Sequence, residues 1–254
     1  MTSAGPGAGA AGPRLAPRDD IAQLAEKFAK DGRVLVPDLL PAETANALYQ
    51  RLHSWTGWHL VSCIGGQHRA FEASAMEALD KAKFAQFVET AGLQARQGFQ
   101  YLFRNYPLYD LGMQDRLDDP VLRQALGIVR SPDFLELARA ITGRRAISYT
   151  DSQATAFGPG HYLTTHDDDV DGKNRLAAYV VNLTPGWRAD FGGQLQFLNA
   201  EGHVDEAFVP GFNTLALFSV PAQHAVSVVA PFAPGYRYAL TGWLRQGTEV
   251  PPGA

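Results

Sequence analysis

Two histidines, one aspartate and one arginine carry the chemistry this sequence can do. His166 and Asp168 stand two residues apart, His224 follows 56 residues after Asp168, and Arg237 lies 13 residues beyond His224. Two imidazoles and one carboxylate can cap one face of a metal ion. The opposite face then stays open for substrate and O₂, as a non-haem Fe(II) site requires. In an extended chain residues i and i+2 point to the same side. An extended stretch over 164–168 therefore aims His166 and Asp168 at one point and turns Asp167 away. Arg237 sits in the apolar run Tyr236-Arg237-Tyr238-Ala239-Leu240-Thr241-Gly242-Trp243-Leu244. A cation buried there needs an anion. A guanidinium takes a carboxylate in a two-pronged grip, so a dicarboxylate co-substrate would supply one.

Each piece alone is weak. A His-x-Asp pair is commonly a surface loop, and His166 with Asp168 also reads as a strand histidine beside its carboxylate partner. Arg237 alone reads as a surface cation. The combination and its spacing point to a metal. His161 is the rival ligand, but five residues before His166 an extended chain puts it on the opposite face. His53, His59, His68 and His203 have no ligand spacing. Asp167, Asp169 and Asp171 read as a solvated acidic turn, with Asp169 placed to hydrogen-bond a metal-bound imidazole. Arg245 is the fallback cation and is expected to be exposed. A zinc hydrolase also uses two histidines and a carboxylate. No general-base glutamate adjoins the ligands here, as it does in His-Glu-x-x-His.

The 254 residues are 46% hydrophobic and 19% charged, with a net charge of −4. That is ordinary globular composition, long enough for one large domain. The charge gives no sign of a nucleic-acid surface. The single cysteine, Cys63, excludes an internal disulfide and suits a reducing, cytoplasmic setting. No apolar run approaches the ~20 residues of a membrane helix. Residues 1–18, rich in Gly, Ala and Pro, read as a disordered tail without a signal-peptide core. Residues 19–246 read as a single domain.

Helices are expected from Asp19 or Asp20 to Gly32, from Pro41 through Leu52, over 73–92, at about 118–128, and over 132–142 before Gly143. Residues 33–36 and 58–63 read as strands. Phe99, Tyr101 and Phe103 alternate in an extended stretch, read as core rather than substrate wall, with Tyr101, Arg104 and Tyr106 as candidate entrance residues. Trp187 and Trp243 read as packing. From 147 to 246 about eight strand-like runs alternate with Gly, Pro, Asn and Asp turns, the pattern of a sandwich or barrel of the jelly-roll kind. The fold class expected is mostly β with flanking α-helices, the N-terminal helices packed on one sheet.

The order of motifs resembles the Fe(II)/2-oxoglutarate-dependent dioxygenases, in particular their prolyl-hydroxylase-like branch, which includes the ribosomal prolyl hydroxylases. The matching stretches are Leu163–Asp169, Arg175–Leu183, Gly192–Leu195, Asn213–Phe218, His224–Val226 and Arg237–Trp243, with a weaker likeness over Gly32–Asp38. The resemblance implies a double-stranded β-helix, with His166, Asp168 and His224 on iron and Arg237 on the distal carboxylate of 2-oxoglutarate. It makes Tyr179 a hydrogen-bond partner of the co-substrate. Two departures stand out. Many relatives carry Arg-x-Ser on the last strand, where this chain has Ala239; Thr241 points the same way as Arg237 and compensates in part. Phe157 stands where relatives carry a tyrosine.

The implied reaction is hydroxylation coupled to oxidative decarboxylation of 2-oxoglutarate to succinate and CO₂. It uses Fe(II) and O₂, with ascorbate as an expected stimulant. A carboxylate at 168 favours hydroxylation over halogenation, because halogenating relatives carry Gly or Ala there. Cupin-type isomerases share the fold but usually use His-x-His. The expected substrate is a prolyl residue of a protein. The alternatives are a free amino acid or other small metabolite, and a non-catalytic 2-oxoglutarate sensor on the same scaffold. An intact ligand set argues against the sensor. No nucleic acid or membrane partner is expected, and the oligomeric state is open.

Overall fold

A computed structural model describes residues 15–249. Of the disordered tail expected over 1–18, residues 15–18 are described. Residues 1–14 lie outside the described residues, but Leu15 packs on the core and the Ala16 amide donates to the Leu39 carbonyl at 2.9 Å.

Helix α1 (Ile21–Asp31) ends at Gly32, whose φ of 68° is the left-handed closure that glycine permits. Asp20 makes no capping bond, because its carboxylate is paired with Arg18. Then follow β1 (Arg33–Val36), α2 (Ala42–Ser54), β2 (His59–Ile64) and β3 (Gln67–Glu72). Strand β3 was not expected. Its side chains are nearly all exposed, so it has no hydrophobic alternation to read. The single helix expected over 73–92 is two, α3 (Ala73–Glu77) and α4 (Lys81–Ala95). Strand β4 (Tyr101–Tyr106) leads to α5 (Leu108–Met113), α6 (Pro120–Val129) and α7 (Pro132–Thr142). Asp119 caps α6 and Ser131 caps α7, each followed by a proline at the first helical position.

The remaining strands are β5 (Ile147–Thr150), β6 (Gln153–Phe157), β7 (Tyr162–His166), β8 (Arg175–Asn182), β9 (Leu195–Leu198), β10 (Val204–Phe208), β11 (Thr214–Ser219), β12 (His224–Val226) and β13 (Arg237–Gln246). They pair in the order β1-β11-β8-β13-β6-β4, continue through β4 to β7, and return as β7-β12-β9-β10. This is a jelly roll, two faces of one sheet folded over a common interior. Its two free edges meet through side chains: Arg33 on β1 pairs with Asp205 and Glu206 on β10. No helix among the described residues is long and apolar enough to cross a membrane.

Strand parity divides the residues of the larger face. On β8 and β13, Tyr179, Val181, Tyr238, Leu240 and Leu244 point outward into a core shared with α1, α2, α6 and α7. Ala178, Val180, Arg237, Thr241 and Trp243 point inward and line a cavity. The junction of β2, β4 and β7 is held by Gln100, which is fully buried. Its side chain accepts from the Cys63 and Tyr101 amides, both at 2.8 Å, and donates to the Cys63 carbonyl at 2.6 Å. Its amide donates to Thr164 Oγ1 at 2.8 Å. Gln100→Leu should strand several of these groups and cost about 2–4 kcal/mol, read as a lower urea midpoint at unchanged slope. An unchanged midpoint would show that the junction is held by other contacts.

Candidate metal centre and its cavity

His166, at the end of β7, and His224, at the start of β12, are direct cross-strand partners. Their ring centroids lie 4.2 Å apart. Asp168 lies two residues past the end of β7 and turns its carboxylate back between them. His166 Nε2 is 3.6 Å from Asp168 Oδ1, and His224 Nε2 is 3.5 Å from Oδ2. These three are the metal-binding cluster found among the described residues.

The other ring nitrogen fixes each tautomer. His166 Nδ1 is 2.9 Å from the Thr164 carbonyl, and His224 Nδ1 is 2.7 Å from the Ala222 carbonyl. A carbonyl only accepts, so each Nδ1 carries its hydrogen and each Nε2 presents a lone pair to the cluster. The expected role for Asp169 thus falls to main-chain oxygens; the Asp169 amide instead donates to Asp167. Burial, then the charge of His166, lowers the His224 pKa. Burial pushes the Asp168 carboxyl up, but the facing His166 and His224 side chains outweigh it and hold its pKa low. Neutral imidazoles and an ionised carboxylate are the ligand state a divalent metal requires. Lone pairs and an anion converging at these distances, too long for good hydrogen bonds, call for a cation between them.

The cluster opens into a cavity of about 710 Å³. Arg237 and Thr241 line the same cavity. Arg237 is only 4% exposed. Its Nε has no hydrogen-bond partner among the described residues. Its guanidinium lies 4.4 Å from the centroid of the Phe157 ring. Burial with no facing carboxylate pushes its pKa down to about 9. A side chain at Gly193 would bring a Cβ within 2.8 Å of Arg237 Nε, so this glycine leaves the guanidinium its place.

Several residues stand elsewhere than the sequence reading put them. Tyr179 touches the cavity wall, but its ring packs edge-on to Phe134 on α7, 5.2 Å between centroids. Its hydroxyl donates to the Asp151 carbonyl at 2.8 Å, on the helix side of the sheet, and is not free for a co-substrate. Arg245 is buried, not exposed, and its guanidinium is 3.3 Å from Asp151. His161 is buried against Tyr236 and takes no part in the cluster. Tyr101 and Phe103 belong, as expected, to a buried cluster with Phe157 and Val226, and they also line the cavity, as does the exposed Phe99. Of the candidate entrance residues only Tyr101 does so; Arg104 pairs with Glu77, and Tyr106 packs on Trp55. Trp187 and Trp243 both pack as expected, and Trp243 also lines the cavity.

Arg175 was missed. It donates to the Asp168 carbonyl at 3.1 Å and stacks 3.6 Å over Trp243, bracing the turn that carries the carboxylate. His68 was missed as well; it reaches the mouth from β3, its Nδ1 2.7 Å from the Tyr101 hydroxyl. The only sequence signal for Arg175 was a lone cation opening an apolar strand.

Residues 152–245 match the model of the 2OG-Fe(II) oxygenase superfamily. The matched stretch holds His166, Asp168, His224 and Arg237, so over those residues this chain is similar to that superfamily. It is 31% identical over 89 residues to the Prolyl 3-hydroxylase OGFOD1 of Mus musculus, an alignment covering 32% of this chain and 16% of that protein. It is 27% identical over 136 residues to the Prolyl 3-hydroxylase OGFOD1 of Xenopus laevis, covering 51% of this chain and 26% of the relative. The chain thus matches about a quarter or less of the length of these relatives. The fold is shared with a prolyl hydroxylase of Trichoplax adhaerens in complex with a hypoxia inducible factor oxygen degradation domain peptide fragment. The TM-score is 0.58 at 15% identity, with 89% of each chain covered.

An uncompensated buried guanidinium should cost stability in the ligand-free protein. Arg237→Met is expected to raise the ligand-free unfolding free energy, by about 1–4 kcal/mol, while removing stabilisation by 2-oxoglutarate. A variant less stable than the parent would show that the guanidinium already has a partner.

Proposed function

We propose that this protein hydroxylates a prolyl residue of a protein substrate, with 2-oxoglutarate as co-substrate and succinate and CO₂ as co-products. The observation that carries the reading is the pairing, in one cavity, of the His166–Asp168–His224 cluster with a buried arginine that has no anion of its own among the described residues. The first is a donor set for Fe(II). The second is a receptor for the far carboxylate of a keto diacid.

Fe(II) with its oxoacid and O₂ supplies the oxidising power when bound. The rest of the work belongs to this chain. His166 and His224 offer Nε2 with the tautomer already set, and Asp168 balances charge. Arg237 orients the co-substrate from the far end, with Phe157 beneath the guanidinium. Trp243, Phe218 and Val226 keep the interior apolar and limit water. Arg175, stacked on Trp243 beside the cluster, holds the Asp168 turn in place.

A polypeptide substrate is favoured over a small metabolite by the rim. Phe99 is 49% exposed and Val170 46% exposed, and both line the mouth. A bound chain segment would cover them. The prolyl hydroxylase relatives support the same substrate class. A cytoplasmic setting, reducing enough to keep the iron ferrous, belongs to the proposal.

The test is succinate formation from 2-oxoglutarate with Fe(II) and ascorbate, with and without proline-containing peptides and free amino acids. Turnover should rise with a peptide. A rise with a free amino acid alone would replace the substrate class, and no succinate with iron bound would favour a sensor. His166→Ala and Asp168→Ala should each abolish turnover; full activity in either sinks the metal assignment. Arg237→Ala should raise the KM for 2-oxoglutarate at least tenfold with little change in iron affinity. An unchanged KM would move the carboxylate to another cation.

A further inference from the structure

The inward-facing row next to Arg237 crosses five strands and is polar on four of them, with Ala239 of β13 at its centre. Ala239 pairs with Thr155 on β6 and with Asn182 on β8. Thr155 pairs in turn with Asn105 on β4, and Asn182 with Thr214 on β11. Thr155 and Asn182 are 2% and 4% exposed, and both line the cavity. Their existing bonds leave donors to spare. Thr155 Oγ1 reaches the Ala239 carbonyl only at 3.5 Å, the outer limit of a hydrogen bond. Asn182 Nδ2 donates to Thr214 Oγ1 at 3.2 Å, which occupies one of its two N–H groups. Thr155 also stands two residues before Phe157, on whose ring the guanidinium rests.

From this we infer that Thr155 and Asn182 bind the distal carboxylate of 2-oxoglutarate together with Arg237. From the two neighbouring strands they supply a hydroxyl and an amide N–H, donors that Ala239 lacks on β13. The inference rests on the function proposed above and extends it to two residues of the co-substrate site. Ala239 is then the gap between the two donors: a methyl group there leaves the carboxylate room to reach both. The departure at 239 and the polar pair beside it form one arrangement. Each donor makes a charge-assisted bond to a buried anion.

The experiment is calorimetric binding to the full chain loaded with Mn(II), a redox-inert stand-in for the iron. The ligands are 2-oxoglutarate and 2-oxopentanoate, which has the same carbon chain with a methyl in place of the distal carboxylate. Thr155→Val and Asn182→Ala should each weaken 2-oxoglutarate about tenfold, or about 1.4 kcal/mol. Mn(II) affinity and 2-oxopentanoate binding should stay as in the parent. Ala239→Ser should restore most of the loss in the Thr155→Val background and add little in the parent. Parent-like affinity for 2-oxoglutarate in both variants would overturn the assignment. So would an equal loss for both ligands, which would mark a packing effect. If the Mn(II)-loaded parent itself fails to bind 2-oxoglutarate, the functional reading falls, and this assignment with it.

Discussion

The arrangement on which the site depends is the Arg237 guanidinium, buried in a sheet with no anion facing it among the described residues. Ordinary proteins pair such a charge or leave it in water. Here Arg237 lies over the Phe157 ring and close against Gly193. The rest of the barrel can be understood as what makes that charge tolerable. The helix layer backs β13 with a continuous apolar core, so the strand carrying the cation is itself anchored by Tyr238, Leu240 and Leu244. Folding strength on one face of the strand supports an unstable element on the other.

Strand β13 is also the common ruler of the site. It pairs with β5, β6 and β8, and its inward residues step through the cavity as Arg237, Ala239, Thr241 and Trp243. The cation end and the end nearest Asp168 are therefore fixed relative to each other by one stretch of backbone. The metal cluster belongs to the other face of the roll, where β7 and β12 bring His166 and His224 side by side. A dicarboxylate joining the two ends would bridge the faces of the barrel.

Much of this was legible in the sequence, and the failures have identifiable causes. The metal ligands could be read because their chemistry is unusual and an i, i+2 spacing has a geometric meaning. The strands after residue 147 showed through their turns, and α7 through its Ser-Pro start and its terminal glycine. Tyr179 was misplaced because β8 is apolar on both faces, one covered by helices and one facing the cavity. Period-two alternation then says which residues share a face but not which face is inside. Asn182, an odd number of residues further on, is the polar side chain on the cavity side. The exposed strand β3 left no pattern at all, since nothing buries it. Arg245 was expected in water because it ends an apolar run, and its partner Asp151 is distant in sequence.

The two carbonyls that hold the histidine rings lie two residues before each ring, at Thr164 and Ala222. The tautomer is set by main chain, and main chain is the same whatever side chain hangs from it. Other metal sites give that job to a carboxylate, which a single base change can remove. In this protein the two rings are therefore held by backbone course, and side-chain support at the centre is concentrated in Arg175 and Trp243 beside the Asp168 turn.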